Sequence, residues 1–303
     1  MPVNALYRAQ VDLLIRCLPA VAKVRAFALK GGTAINLFHR DMPRLSVDID
    51  LTFLAVTDRD TALTGITEGL ATIGEEIRRT IPQVQVRSTG TGAPKLQVAT
   101  PHARIKIEPS PISRGCLFPP VERDLCQTAQ DEYELFVRVQ RLSTGDLYGG
   151  KFCAALDRQH PRDLFDIKQL QDNTGEIADD IRQAFVVYLA GHRRPMAELL
   201  APNTKSIEQL YTHHFAGMTT HAIRLDELEA TREHMFEWVR TALSENERTF
   251  LLSIKQGEPD WSLMPFDNIQ QLPAIQWKIR NVKRMSAHAH KAALDRLRNV
   301  LDL

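Results

Sequence analysis

A chain of 303 residues, 44% hydrophobic and 25% charged, has the make-up of an ordinary globular protein with room for one large domain or two smaller ones. Its net charge of +1 at pH 7 excludes a globally basic nucleic-acid coat, and no apolar run approaches the roughly 18 residues of a membrane helix. Arg16, Lys23 and Arg25 interrupt the apolar segment 13–29, so neither a signal peptide nor a membrane span is expected, and the expected location is the cytoplasm. Cys17, Cys116, Cys126 and Cys153 are widely spaced with no C-x-x-C pair, which predicts reduced, at least partly buried thiols rather than a zinc or redox motif.

In residues 4–18, Leu6, Val11, Leu14, Ile15 and Leu18 fall near helical spacing, predicting an amphipathic helix. Residues 27–29 read as a short apolar strand, followed by a Gly31-Gly32-Thr33 turn, a short helix and a charged loop. Residues 45–53 then alternate with a period of two. Ser46, Asp48 and Asp50 should project from one face of a strand and Leu45, Val47, Ile49 and Leu51 from the other. Asp58 and Asp60 can cap a helix that runs to about Thr80, before Pro82. Residues 84–87, 96–100 and 103–108 read as strands, the last two joined as a hairpin through Pro101-His102. Arg104, Lys106 and Glu108 share the polar face of the third, and Pro109 is expected to stop it. A proline-rich connection spans 109–120, with strand-like pieces continuing through 135–139.

Beyond Ser143 the pattern turns almost wholly helical. Ser143 or Thr144 can cap a helix over 145–158, and Pro161 suits the first turn of the next, with Leu164, Phe165 and Ile167 facing inward. Helices are expected over 177–189, 207–215, 221–242 and 245–255. Residues 276–303 carry seven basic residues, Lys278, Arg280, Lys283, Arg284, Lys291, Arg296 and Arg298, against Asp295 and Asp302. They form either a solvated face or a surface for a polyanion. Trp261 and Trp277 are expected to anchor the helical core. The division predicted is α/β over 1–140 and helical over 141–303.

Asp48 and Asp50, one pleat apart on one face, repel each other and raise each other's pKa unless something neutralises them. A divalent cation does so, and Mg²⁺ is commonly held by one or two carboxylates together with substrate phosphates. A Gly-Gly turn that opens a helix presents N–H groups to phosphates. Either feature alone is common on protein surfaces, but their order in this chain points to metal and phosphate held on one face. Glu108 adds a third carboxylate on a polar strand face, either solvated or a ligand.

The motifs Lys30-Gly31-Gly32-Thr33-Ala34, Arg44-x-Ser46-x-Asp48-x-Asp50-Leu51, and Lys151 followed by Arg162-Asp163-Leu164-Phe165-Asp166 resemble those of the AbiEii/AbiGii-type nucleotidyltransferase toxins. The later stretches 250–252, 259–261 and 272–278 also look family-like, so the resemblance spans most of the chain. These are the toxins of bacterial type IV toxin–antitoxin and abortive-infection systems and include the MenT enzymes. The resemblance implies an α+β protein, with a DNA polymerase β-like nucleotidyltransferase mixed sheet followed by a mostly helical C-terminal domain that completes the active site. It implies transfer of a nucleotide from an NTP with Mg²⁺, through a two-ion site, to an RNA acceptor. The 3′ end of tRNA is the acceptor implied, with translation blocked as the result.

By similarity Asp48 and Asp50 are metal ligands, with Glu108 a more weakly placed third. Gly31, Gly32, Thr33 and Ser46 hold phosphates, and Lys151 and Asp163 act from the helical side. Lys151 and Asp163 could instead form a simple surface ion pair. A winged-helix antitoxin encoded nearby is the partner implied, with or without a stable complex. Such a site could also modify a small molecule or AMPylate a protein. A catalytically inactive nucleotide-binding module is the third alternative, against which the joint presence of Ser46, Asp48, Asp50, Lys151 and Asp163 argues.

Overall fold

The computed structural model describes residues 5–90 and 92–303, which form two units. The first comprises Met1–Ser143 and Phe215–Ile223, and the second Thr144–His214 and Arg224–Leu303. No helix among the described residues is long and apolar enough to cross a membrane.

In the first unit the chain runs α1 (Ala5–Ala22), β1 (Phe27–Lys30), α2 (Gly31–Phe38), β2 (Asp48–Phe53), α3 (Arg59–Thr80), β3 (Gln85–Thr89), β4 (Lys95–Ala99) and β5 (Arg104–Ser110). It ends with β6 (Val121–Asp124), α4 (Gln127–Tyr133) and β7 (Arg138–Arg141). Position 4, where the first helix was expected to start, lies outside the described residues. That helix continues past Leu18, through Pro19, because Ala20 and Val21 are also buried. The strands form one mixed sheet in the order β3-β4-β5-β2-β1-β7-β6. Of the two central pairings of β2, that with β1 is antiparallel and that with β5 parallel. Leu29, Ile49, Leu51, Ile105 and Ile107 are each at most 1% exposed, as alternation requires of a covered sheet face. Phe27 and Phe53 meet edge to face at 5.8 Å and seat against Gly69 and Gly65 of α3. Asp58 caps α3, its carboxylate accepting from the N–H groups of Asp60 and Thr61.

Three expectations need correction here. The strand expected over 45–53 begins only at Asp48, because Leu45 N–H donates to the Met218 carbonyl at 2.7 Å and Arg44 bridges to Thr219. Its first residues therefore pair with 218–219 instead of a sheet neighbour. Pro109 does not stop β5, which runs to Ser110. Pro109 pairs in register with Leu51, while on its other side the β4 ladder ends at Leu96↔Ile107, so its missing N–H breaks no bond there. Between residues 120 and 140 the chain also forms α4, whose single buried residue, Ala129, leaves no apolar periodicity to read.

The second unit contains α5 (Thr144–Arg158), α6 (Pro161–Thr174), α7 (Asp179–Gly191), α8 (Met196–Leu200), α9 (Glu208–His214), α10 (Leu225–Thr241), α11 (Glu245–Gln256), α12 (Pro273–Lys283) and α13 (Ala287–Leu301). Ser244 starts α11 with a capping box, its hydroxyl accepting from Glu247 N–H while the Glu247 carboxylate accepts from Ser244 N–H. The aromatic core is Phe152, Phe185 and Trp238, with Trp238 stacked on Phe152 at 4.5 Å. Trp261 packs near Phe250 at 6.2 Å, but Trp277 is 41% exposed and does not anchor the core. The basic C-terminal segment is two helices, broken at Ser286, which caps α13. One of its cations, Lys278, is buried and donates to the carbonyls of His192 and Arg194 at 2.7 and 2.8 Å.

Candidate active site

The sheet unit brings Asp48, Asp50, Ser46 and the Gly31-Gly32 turn together, because β1 leads straight into α2 and pairs in register with β2. Lys30, the last residue of β1, stands opposite Asp50, and Asp50 stands opposite Glu108 of β5. Residues directly opposite each other in a sheet project from the same face. The row therefore reads Lys30, Asp50, Glu108, and Lys95 of β4 closes it by donating to Glu108 Oε1 at 3.0 Å. One pleat away Asp48 stands opposite Lys106. Three carboxylates thus share a face with three lysines. Burial pushes the Lys30 ammonium below its ordinary pKa, while the adjacent Asp50 charge opposes that shift.

Gly31 has φ = +69°, and a Cβ placed on it would collide with Asp50 Oδ2. A Cβ on Gly32 would meet Arg44 Nη2 at 2.6 Å and Ser46 Oγ at 3.2 Å. Gly31 is favoured by its backbone angle as well as by the crowding from Asp50, whereas a side chain at Gly32 would have to displace the Arg44 guanidinium. Arg44, 2% exposed, donates to the Leu45 carbonyl at 2.9 Å. Thr33 is fully buried, and its hydroxyl lies 2.8 Å from Ser46 Oγ and donates to the Asp48 carbonyl at 2.6 Å. In this geometry Thr33 braces the start of β2 against α2. Lys30 is the N-cap of α2 and makes no side-chain hydrogen bond to the helix, so that terminus keeps the N–H donors that favour an anion. Gly31→Ala is expected to lower both melting temperature and transfer activity. The strain at positive φ costs of order 1–3 kcal/mol. Wild-type values in both measurements would show that the turn does not pin the Asp50 carboxylate.

Asp48, Asp50 and Glu108 supply the hard oxygen donors that suit Mg²⁺. Among the described residues no three His, Cys, Asp or Glu side chains stand as a ready-made metal cluster, and Glu108 is already engaged by Lys95. The two aspartates of β2 offer oxygen donors from one strand face, while Glu108 would have to exchange its lysine for a metal.

In the helical unit, Lys151 of α5 and Asp163 of α6 form no surface pair. Their side chains are 6% and 4% exposed, and Lys151 Nζ lies 3.0 Å from Asp163 Oδ1 and 2.8 Å from Asp166 Oδ2. Arg158 joins Asp163 at 2.8 Å. Burial alone would raise the Asp163 pKa, but Lys151 and Arg158 hold it below the ordinary carboxylate range.

Sequence reading missed Lys30, Lys95 and Lys106 as the cations facing the carboxylates, and Asp166 as the second partner of Lys151. Lys30 adjoins the Gly-Gly turn and offered a signal. Lys106 shares a strand face with Glu108 by alternation, but it meets Asp48, and Lys95 meets Glu108, only through strand register, which the local pattern does not encode.

Residues 12–281 match the family described as "Nucleotidyl transferase AbiEii toxin, Type IV TA system". Among solved structures the chain is similar to MenT4, a nucleotidyltransferase toxin from Mycobacterium tuberculosis. That match covers 98% of this chain and 92% of that one, at 16% identity and a TM-score of 0.58, a likeness of fold. No curated protein matches the chain.

Proposed function

The chain belongs to the AbiEii family of nucleotidyltransferase toxins of type IV toxin–antitoxin systems, and from that membership we propose that it transfers a nucleotide from an NTP, with Mg²⁺, to the 3′ end of tRNA and so blocks translation. The observation that carries the reading is the pair Asp48 and Asp50, set on one face of β2 with the Asp50 carboxylate against the Gly31 turn. A carboxylate pair beside an uncapped helix N-terminus suits a metal–triphosphate.

Asp48 and Asp50 would hold the metal, with Glu108 contributing once released from Lys95. When bound, Mg²⁺ supplies charge neutralisation for in-line displacement at the α-phosphorus, with pyrophosphate leaving. The chain's own part is positioning. Gly31 and Gly32 let phosphate approach the backbone, Ser46 offers a hydroxyl at the turn, and Thr33 keeps Ser46 and Asp48 in place. Lys30 balances Asp50 and offers a cation to phosphate oxygens. Lys151 and Asp163 are proposed as required for transfer. A type IV toxin implies a cognate antitoxin, and a winged-helix protein encoded nearby is the partner proposed, with or without a stable complex.

The test is to incubate the protein and its Asp48→Ala variant with Mg²⁺, each of the four α-³²P-labelled NTPs in turn, and total bacterial tRNA. Label reaching tRNA only with the wild type is expected, and it also names the nucleotide. Label on protein or on an added small molecule would overturn the acceptor, and label on nothing would overturn the transfer.

A further inference from the structure

We infer that the exposed face of α12 is an RNA-docking surface, with Trp277 stacking on a base and Arg280, Lys283 and Arg284 holding phosphates. The inference rests on the RNA-acceptor reading and adds the place on the helical unit where that RNA is held.

α12 has the sequence PAIQWKIRNVK and contains no acidic residue. Its inward face is fixed by Ile275 and Val282, both at most 5% exposed, and by the Lys278 ammonium bound to two carbonyls. The outward face is therefore presented on a helix held in place. On it Trp277, Arg280 and Arg284 follow at i, i+3 and i+7, which sets them along one stripe. Arg280, Lys283 and Arg284 are exposed and form one open surface with Gln276 and Ile279. None of the three cations makes an ion pair among the described residues. Met285, the next residue, takes Lys255 Nζ at 3.5 Å, so this nine-tenths-buried ammonium meets a thioether rather than a carboxylate. Burial lowers its pKa. The region has little negative charge of its own to compensate its cations.

The chemistry selects the occupant. An indole at 41% exposure is one of few large apolar side chains left in water here, and the chain's other two tryptophans are packed against Phe152 and Phe250. One flat ring among three unpaired cations matches a strand of alternating phosphates and bases, since base–aromatic stacking tolerates any sequence and phosphate contacts need only charge. A membrane surface would call for several apolar side chains on the same face, where only Trp277 and the half-buried Ile279 are present.

The test measures binding of a 5′-fluorescein-labelled RNA hairpin with a single-stranded 3′ tail, by anisotropy across a salt series without NTP, alongside KM and kcat for tRNA labelling. The triple variant Arg280→Ala, Lys283→Ala, Arg284→Ala is expected to bind at least about ten-fold more weakly. Its slope of log affinity against log salt should be shallower by about two to three. Trp277→Ala should weaken binding about ten-fold, while Trp277→Phe, which keeps a stacking ring and checks the fold, should largely restore it. The change should appear in KM for tRNA, with kcat retained. If the wild type binds and labels RNA but the variants match it in affinity and salt slope, the surface assignment is overturned and the acceptor reading stands. That same result is expected if the face serves a protein. If the wild type neither binds nor labels RNA, both fail.

Discussion

Asp50→Asn is expected to reduce nucleotide transfer at least about a hundred-fold while leaving the fold intact, a loss larger than that caused by removing groups which merely orient metal ligands. The substitution keeps the shape of the side chain that presses on Gly31 and changes only its charge and donor strength. Asp50 stands between Lys30 and Glu108, so the row changes from two lysines facing two carboxylates to two facing one. The metal-free fold should tolerate this, because Lys30, already pushed below its ordinary pKa by burial, gives up its proton more readily once the Asp50 charge is gone. Circular dichroism and a thermal melt check the fold. A second melt with Mg²⁺ and a non-hydrolysable NTP analogue reads the site without turnover, and only the wild type should be stabilised by the combination. Wild-type transfer from a folded Asp50→Asn protein would remove the metal-site reading altogether. Glu108→Gln should have the smaller effect, because Glu108 already has a cation partner in Lys95.

Lys151→Met should destabilise the protein by about 3–5 kcal/mol, the range for removing one member of a buried charge cluster. The methionine fills similar volume, so most of the loss is electrostatic. Asp163 and Asp166, with side chains 4% and 0% exposed, would lose the ammonium they share, while Arg158 stays on Asp163. The pH dependence follows from the direction of the Asp163 shift. In the wild type its folded pKa is depressed, so the associated stability is present above the unfolded value of about 4 and is lost as pH falls through the folded one. Without Lys151, burial dominates and raises the Asp163 pKa, so protonation relieves the variant as pH falls. The gap between wild type and variant should therefore be widest near pH 7 and narrower near pH 4, as denaturant titrations at the two pH values would show. A gap of equal size at both would show that the lysine acts through packing alone. Transfer assays on this variant belong below its melting temperature, and Asp166→Asn, which leaves Lys151 paired with Asp163, separates stability from chemistry.

The parts of the site legible in sequence were those that depend on residues close together in the chain. The alternation Asp48, Ile49, Asp50, Leu51 placed the aspartates on one face because successive residues of any strand point to opposite sides. The Gly31-Gly32 turn was readable because few other residues tolerate that backbone and that crowding. Asp58 and Pro161 marked helix starts for equally local reasons. The motif set was specific enough to lead to a family that the matched residues 12–281 then showed.

What tertiary structure decided was every neighbour relation between distant residues. Lys30 faces Asp50, Lys106 faces Asp48 and Lys95 faces Glu108 because of strand pairing, and a slip of one residue would have broken each of these relations. Segment 218–219 took Leu45 out of the expected strand and bridged to Arg44 just before it, although more than 170 positions separate them. Lys151, Asp163 and Asp166 look like solvated helix charges until the packing of α5 on α6 buries them together, and Trp277 looks like a core anchor until the packing of α12 leaves it outside. Periodicity states which side of an element is apolar. Only the assembled fold states what each polar side then meets, because that depends on which elements become neighbours and in what register.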